Sequence, residues 1–470
     1  MSAFTLELGL AALALIVFGA SLVARGSDRR WIAGLATIGV LVLGIVSVFV
    51  APTRPALGGM FVQDGLAIFA KRLFLAATFI GLLAGISTEG AACGRRAGEY
   101  HLLMLASLLG MLVLASARDL ILLFVAFELM SIPLYVLAGF LKREDVAVEA
   151  ALKFFLVGSV SSAVMAYGLS FVYGATGTTD LARVAQTFTR SQPLLILGLI
   201  AAFAGFAFKI AAFPFHMWVP DTYEAASTPF VAWLSVAPKA AGFVALFRVY
   251  FEGMGERAAT WVPLAAGLAA ITIVAGNLMA LPQQNTKRLL AYSGIAHIGY
   301  MLVGFAAASA SGTAMVLFYL VAYVFGNMGA FLVVEAVARS ERSEATAALR
   351  GLAQRSPLLA LAMLLFLLSL GGIPFVAGFW AKLYVFWAAA SAGLYWLVLV
   401  GAVLTVVALF YYLVVAKRMY IEPPAASGGR IQVSRSLALA VILCALGVVA
   451  LGVYPKPVVM AALRVAAPLF

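Results

Sequence analysis

Residues 208–221 read FKIAAFPFHMWVPD, and this stretch decides how the chain is organised. It lies near the end of a long apolar segment, residues 193–225, and it contains Pro214 and Pro220. Proline removes a backbone donor and its ring clashes with the preceding turn. The segment is therefore predicted to be a helix that is interrupted at Pro214, with Lys209 buried in the apolar run just before the interruption.

The composition extends this prediction to the whole chain. Of its 470 residues, 64% are hydrophobic and 11% are charged, whereas soluble domains have about 25% charged residues. Backbone groups in lipid must be paired within their own segment, so the chain is predicted to be an all-α polytopic membrane protein with about 14 transmembrane helices. Long continuous apolar runs exclude the alternating pattern of a β-barrel. The two cysteines and three histidines are scattered, and we expect no cofactor or metal site in this chain.

A second long apolar segment, residues 357–391, is also interrupted, by the sequence GGIPF at 371–375. Paired interrupted helices in corresponding halves are typical of inverted-repeat transporters. The prediction is two inverted five-helix repeats, each with one interrupted helix. The expected divisions are residues 1–100 for helices 1–3, 101–252 for helices 4–8, 259–420 for helices 9–13, and 434–470 for helix 14.

The basic residues predict the orientation. Seventeen lysines and arginines fall in odd-numbered loops, and seven fall in even-numbered loops and the C-terminal tail. The positive-inside rule then places the odd-numbered loops in the cytoplasm and both termini on the outer side. Because no basic residue precedes Arg25, the first apolar segment is interpreted as a retained helix and not as a cleaved signal peptide.

Four lone charged residues lie inside otherwise apolar segments: Glu128, Lys209, Lys239 and Lys382. A charge near the middle of a bilayer costs at least roughly 2.5–3.5 kcal/mol, so such residues are by default candidates for function. Burial disfavours the charged lysine and a nearby carboxylate favours it, so protonation can follow the movement of a partner. We interpret the four residues as a proton relay in which Glu128 pairs with Lys209. The alternatives are snorkelling or structural lysines and a neutral glutamate.

Other candidates have weaker support. His297 lies in the middle of the tenth segment, where a relay role and a hydrogen-bonded core histidine are both open, and His216 follows the first interruption. Lys153 follows Glu149 by one helical turn, so it either forms an i,i+4 pair or takes part in proton uptake. Lys71 is expected near the surface or at a subunit interface.

The run 208–221, continued by Tyr223, Glu224 and Ser227 to Pro229, resembles the antiporter-like membrane subunits of respiratory complex I and their relatives. The run 281–292, which includes Lys287 and Arg288, is similar to the same family, and the resemblance covers essentially the whole chain. Within the family, the chain is most similar to the N-type branch, since it has a lysine in the second interrupted helix and the Asp64-Gly65-Leu66 sequence before its third helix.

The resemblance implies a role for each charged residue. Glu128 corresponds to the essential glutamate of the fifth helix, and Lys209 to its ion-paired lysine in the seventh. Lys239 corresponds to the central lysine of the eighth helix, and Lys382 to the terminal lysine that hands the proton to the outer side. For His297 the resemblance implies no fixed role.

The resemblance also implies the setting. The expected function is proton translocation in the membrane arm of an NADH-quinone oxidoreductase of the bacterial inner membrane. FMN, iron–sulfur clusters and quinone are expected in partner subunits and not in this chain. Neighbouring antiporter-like and small membrane subunits and lipids are the expected contacts, and nucleic acid is not. Two alternatives stay open: a subunit of a multisubunit cation/proton antiporter, and a scaffold whose charges never titrate.

Overall fold

The computed structural model describes residues 2–24, 30–88, 93–140, 145–187, 193–254, 258–424 and 429–470. Within these ranges the regular structure is helical and no β-strand forms beyond isolated bridges. The N-terminal half consists of α1 (Thr5–Val23), α2 (Arg30–Val48), α3 (Gly65–Gly85), α4 (Ala97–Ser116), α5 (Leu120–Ala138), α6 (Asp145–Thr176), α7 (Leu181–Thr187), α8 (Pro193–Ile210), α9 (Trp218–Ala225), α10 (Thr228–Leu234) and α11 (Ala237–Phe247).

The C-terminal half consists of α12 (Ala258–Ala280), α13 (Thr286–Ala306), α14 (Ala310–Glu341), α15 (Leu352–Arg355), α16 (Pro357–Gly371), α17 (Ala377–Ser391), α18 (Tyr395–Tyr420), α19 (Arg435–Val453) and α20 (Lys456–Ala466). In the described part of the chain, 13 helices are long and apolar enough to cross a membrane. The interrupted pair of α16 and α17 supplies one further crossing. The predicted fold class is therefore confirmed.

Polar side chains set where several of these helices begin. Asp64 accepts a hydrogen bond from the backbone N–H of Ala67 at the start of α3. Asp119 does the same at the start of α5, and Asn285 at the start of α13. Such N-caps satisfy backbone donors that have no partner within the helix. They leave the following apolar residues free to pack.

Both predicted interruptions are present. The first separates α8 from α9, and Ala211 leaves the helix in a left-handed conformation with φ 66°. The second separates α16 from α17, where Gly372 has φ 82°, a conformation that a residue without a Cβ adopts at little cost.

The membrane-spanning segment Thr228–Glu252 is not one uninterrupted helix. It is divided between α10 and α11, and Ser235 and Val236 lie between the two helices. Pro238 explains the division, because it lacks a backbone donor and clashes with the preceding turn. After α11 the segment continues as a π-helical stretch, Arg248–Glu252.

The most deeply buried helices form the centre of the bundle. The segments 228–252, 286–306 and 310–341 are almost entirely buried, whereas α1, α18 and α19 expose apolar side chains along most of their length. We call the end where α3 and α5 begin the outer end, and the end where α13 begins the inner end. These names follow the charge-based orientation, which stays a prediction because Arg25, Arg29, Lys142 and Arg143 lie outside the described residues. The residue limits of the repeats also stay predictions.

Candidate functional site

The structure places three lysines inside the bundle, each close to a helix interruption. Lys209 is 2% exposed and lies next to the last residue of α8. Lys239 is 1% exposed in the first turn of α11, and Lys382 is 4% exposed in the second turn of α17. Bulk water therefore solvates none of these ammonium groups, and their partners must come from the protein or from internal hydration.

The Lys209 ammonium has no hydrogen-bond or ion-pair partner among the described residues. It lies over the rings of Phe127 and Phe208, at 5.1 and 5.8 Å from their centroids, which is a cation–π arrangement. The aliphatic part of its side chain packs against α11, since a methyl group placed on Gly242 would lie 3.3 Å from the Lys209 Cγ. Lys209 is thus held against the helix that carries Lys239, about one turn from it.

Glu128, on α5, is half-buried and accepts a hydrogen bond of 2.6 Å from the hydroxyl of Ser162 on α6. No ion pair within 4.0 Å joins Glu128 to Lys209 in the described structure, so the expected direct pair is not formed. The physical reason is that Ser162 satisfies one carboxylate oxygen from another helix. The two residues are still neighbours, since the Lys209 ammonium lies over the ring of Phe127, the residue before Glu128.

Lys239 is also without a hydrogen-bond partner in the described part of the chain. Its ammonium lies 5.5 Å from the ring centroid of Tyr223. A methyl group placed on Gly294 of α13 would lie 3.6 Å from the Lys239 Nζ and 2.8 Å from the Tyr323 hydroxyl. The absence of a side chain at Gly294 therefore brings Lys239 close to α13, the helix that carries His297.

His297 is buried, and both of its ring nitrogens face tyrosines. Its Nδ1 lies 2.8 Å from the hydroxyl of Tyr319, and its Nε2 lies 3.2 Å from the hydroxyl of Tyr412, which also bonds to Ser293. The His297 ring also lies 5.2 Å from the ring of Tyr323 and 5.9 Å from the ring of Tyr300, over which the Lys382 ammonium lies. The structure thus brings His297 into the same polar interior as the two lysines.

Lys382 does have a partner. Its ammonium donates a hydrogen bond of 3.2 Å to the carbonyl oxygen of Gly371, which the second interruption has freed from the helix, and it lies 4.8 Å from the ring centroid of Tyr300. The Tyr300 hydroxyl lies 3.3 Å from the side-chain nitrogen of Asn277, and Asn277 accepts from Tyr411. Buried hydroxyl and amide groups therefore extend from Lys382 towards α12 and α18.

At the inner end, the charges are exposed and paired. Lys153 forms the predicted i,i+4 pair with Glu149 at 2.8 Å, and a second pair with Asp221 at 3.0 Å. Arg288 contacts Asp221 and Glu224, each at 2.8 Å. Burial raises the pKa of Asp221, but its hydrogen bonds to Arg288 and Lys153 outweigh that effect and hold the pKa below its ordinary value.

A cleft of about 700 Å³ opens beside this inner cluster and is lined by Glu224, Thr228, Lys287, Glu335 and Arg339 among others. It gives water a polar entrance between α9 and α14. The lining carries both acidic and basic side chains, so water can approach the helix α10 from the inner end.

Two further expectations have different outcomes. His216 is buried and stacked on Phe213, with ring centroids 5.1 Å apart, close to the first interruption. The prediction that Lys71 lies near the surface or at a subunit interface is wrong: its side chain is fully buried within the chain and forms an ion pair of 2.5 Å with Glu7. The partner comes from the first helix, 64 residues earlier, which a local sequence pattern does not indicate.

Sequence reasoning also missed the groups that contact the candidates, namely Ser162, Tyr319 and Tyr412. Tyrosines inside an apolar span are a usable indication, because a buried phenol normally finds a hydrogen-bond partner. No group of three or more His, Cys, Asp or Glu side chains that could hold a metal ion occurs in the described ranges.

Known proteins resemble this chain over its full length. A family model described as "NADH:quinone oxidoreductase/Mrp antiporter, TM" matches residues 117–408. NADH-quinone oxidoreductase subunit N of Moorella thermoacetica is 42% identical over 469 residues, which cover 99% of this chain and 98% of the relative. The subunit N of Heliobacterium modesticaldum is 40% identical over 473 residues, which cover 100% and 99%.

Solved structures agree. A chain of respiratory complex I from Thermus thermophilus, with bound aureothin, has 33% identity and a TM-score of 0.84 over 97% of this chain and 99% of that one. A chain of the Mrp complex from Dietzia sp. DQ12-45-1b has a TM-score of 0.90 over 100% and 98%, but at 22% identity this shows a shared fold alone. The sequence relatives match from end to end, and the chain therefore belongs to the subunit N family of NADH-quinone oxidoreductases, the antiporter-like membrane subunits of respiratory complex I.

Proposed function

We propose that this chain translocates protons across the bacterial inner membrane as a membrane-arm subunit of complex I, through a relay of Glu128, Lys209, Lys239 and Lys382. The observation that carries the proposal is the unpartnered burial of Lys209 and Lys239 on adjoining helix segments. A buried ammonium without a counter-ion is unfavourable, so each of these groups readily gives up a proton when an acceptor is near.

Glu128 acts as the switch in this proposal. When its carboxylate turns towards Lys209, it stabilises the ammonium form; when it bonds to Ser162, that support weakens. The Ser162 hydrogen bond supports such a switch because it gives the carboxylate a second partner away from the lysine. At an effective dielectric of 20, two charges about 4 Å apart interact by roughly 4 kcal/mol, so a movement of a few ångströms is enough to change the protonation of Lys209.

The proton then passes from Lys209 to Lys239 along α11, and from Lys239 past Tyr323 and His297 to Lys382. The close approach of Lys209 to Gly242, and of Lys239 to Gly294, supports this order. Histidine and tyrosine side chains both donate and accept hydrogen bonds, so His297 with Tyr319 and Tyr412 is suited to connect the two lysines. Lys153 and the inner cleft are proposed as the side from which protons enter.

The driving reaction is assigned to other subunits. NADH oxidation and quinone reduction, with the FMN, iron–sulfur clusters and quinone that they need, are proposed for partner subunits, and the neighbouring antiporter-like and small membrane subunits are the proposed contacts. The exposed apolar faces of α1, α18 and α19 support burial against lipid or such neighbours. Both termini are proposed to lie on the outer side.

The test is Lys239→Ala in the assembled complex, with pumping driven by NADH in inverted membrane vesicles. The expected result is an assembled complex whose proton pumping is lost. The matched control is Lys417→Ala, since Lys417 is exposed near the inner end of α18. Undiminished pumping in the Lys239→Ala complex would contradict the relay.

The second candidate, a subunit of a multisubunit cation/proton antiporter, is favoured by the shared fold with the Mrp complex and by the family description, which also names the Mrp antiporter. Purification decides between them: a complex that retains an NADH-oxidising peripheral arm supports the first candidate, and one that exchanges cations for protons without that arm supports the second.

A further inference from the structure

A buried ion pair lies outside the proposed relay, in helices that carry none of the four relay residues. The Lys71 ammonium on α3 is 2.5 Å from a carboxylate oxygen of Glu7 on α1, and it lies 5.0 Å from the ring centroid of Phe61. Glu7 is 6% exposed and Lys71 is fully buried. Buried ion pairs often cost as much in desolvation as they return in attraction, so stability alone is a weak explanation for this pair.

The polar atoms around the pair are incompletely satisfied by the protein. One carboxylate oxygen of Glu7 contacts the Lys71 ammonium, but the other oxygen has no partner among the described residues, and neither has the side-chain nitrogen of Gln63. Lys71 donates to the side-chain oxygen of the same Gln63. Buried polar groups left in this way are normally hydrogen-bonded to internal water. The site therefore combines a carboxylate, an ammonium and the hydrogen-bonding capacity for water.

Charges of both signs surround the pair at the outer end. Arg248 binds Asp64 with contacts of 2.6 and 2.7 Å and also contacts Glu252, which pairs with Arg118 at 2.7 Å. Together with Glu7 and Lys71 this makes three carboxylates and three cations. Burial raises the pKa of Asp64, but the charge and hydrogen bonds of Arg248 outweigh it and hold the pKa below its ordinary value.

Arginine does not release its proton in proteins, and Asp64 and Glu252 are both neutralised by arginine. Glu7 and Lys71 are thus the members of this cluster that can exchange a proton. Because the cluster is otherwise balanced in charge, gain of one proton changes its total charge from zero to one. In a medium of low dielectric constant, that change in charge alters the electrostatic energy of the neighbouring charged groups.

The position of the pair connects it to the relay. The helix α3, which carries Lys71, packs against α10 and α11, and Trp233 on α10 donates a hydrogen bond of 2.9 Å to Thr78 on α3. Lys239 is on α11, in the same packed unit. The pair lies near the start of α1 and within the first two turns of α3, so it is at the end of the bundle opposite to Lys153 and Asp221.

We propose that Glu7 and Lys71, with Gln63 and bound water, form a proton-release site at the outer end of this chain. The site receives protons that leave the relay at Lys239, on the helix α11 that packs against α3, and passes them to outer water, so the inference rests on the proposed relay. An arriving proton binds the Glu7 carboxylate, which then gives a proton to water and returns to its ion pair with Lys71; no other bond is made or broken.

The experiment uses the whole complex in inverted vesicles, where the outer face lines the lumen, with a pH dye trapped inside to record proton release. For Glu7→Gln we expect an assembled complex with luminal acidification slowed by roughly 10-fold or more, since loss of a proton-transfer group typically has an effect of at least that size. Glu7→Asp should retain most of the release. The control is Glu99→Gln, an exposed carboxylate at the inner end of α4.

A merely structural pair predicts a different pattern. The double variant Glu7→Gln/Lys71→Gln keeps two hydrogen-bonding side chains in contact without charge, and it carries the test if the single variant fails to assemble. Slow release in this double variant supports the inference; normal release in it, or in Glu7→Gln, overturns the inference. Normal release in Lys239→Ala under the same conditions would instead overturn the relay itself.

Discussion

Both interrupted helices combine a proline with a buried lysine in their sequences, yet the two lysines make different contacts. At the second interruption, the Lys382 ammonium on α17 donates a hydrogen bond to the carbonyl oxygen of Gly371, the last residue of α16. At the first, Lys209 has no such bond, and the carbonyl of Phe208 accepts from the backbone N–H of Ala211 at 3.0 Å and from the Trp218 side chain at 3.3 Å. The first lysine is therefore free to respond to Glu128, whereas the second is anchored.

The packing of the two interruptions also differs. At the second, α17 approaches α16 so closely that a methyl group on Gly378 would lie 1.8 Å from the carbonyl oxygen of Ser369. The backbone N–H of Gly378 also donates to the Ser369 hydroxyl at 3.1 Å. In the proposed relay, this difference assigns switching to Lys209 at the first interruption and delivery to Lys382 at the second.

The largest effect is expected from Gly378→Ala. The added methyl group overlaps backbone, which cannot move aside as a flexible side chain can, so the free energy of unfolding should fall by about 3 kcal/mol or more, the upper part of the range for overpacking. Thermal unfolding of the purified complex measures it. Gly267→Ala is the matched control, because a methyl group there meets open space. Equal melting temperatures for the two variants would show that the second interruption is not tightly packed.

A smaller effect distinguishes the two lysines directly. Lys382→Met leaves the Gly371 carbonyl without its donor, which costs about 1–3 kcal/mol for a buried acceptor, whereas Lys209→Met removes an ammonium that has no hydrogen-bond partner. The Lys382→Met complex should therefore be the less stable of the two by that amount. Denaturant or thermal unfolding of both variants gives the comparison, and the reverse order would remove the contrast between an anchored and a free lysine.

The smallest effect is expected at Asp221, on the helix α9 that follows the first interruption at the inner end. Asp221→Asn removes partly exposed ion pairs with Lys153 and Arg288, which are worth less than about 1 kcal/mol and weaken in salt. Because its folded-state pKa is depressed, Asp221 contributes fully above its unfolded pKa of 3.8 and loses this contribution as the pH falls through the lowered value. Unfolding measured against salt and pH tests this; a salt-independent loss larger than that of Lys382→Met would contradict it.

The sequence predicts those parts of the molecule that depend on neighbouring residues along the chain. The interruption at Pro214, the burial of Lys239 and the pairing of Lys153 with Glu149 follow from proline chemistry, hydropathy and helical spacing. The partners of the charged groups do not, because they come from distant helices. Tyr412 is 115 residues from His297, and Ser162 is 34 residues from Glu128. The choice of Ser162 over Lys209 as the nearest partner depends on side-chain packing between α5 and α6, which no local pattern contains.

The placement of His297 has one more consequence. Its ring neighbours Tyr323, close to Lys239, and Tyr300, close to Lys382, and like charges repel strongly in an interior of low polarity. All three sites cannot hold an extra proton at the same time at low energy. In the proposed relay, the arrival of a proton at one of these sites therefore favours its departure from a neighbouring one, without any large movement of the helices.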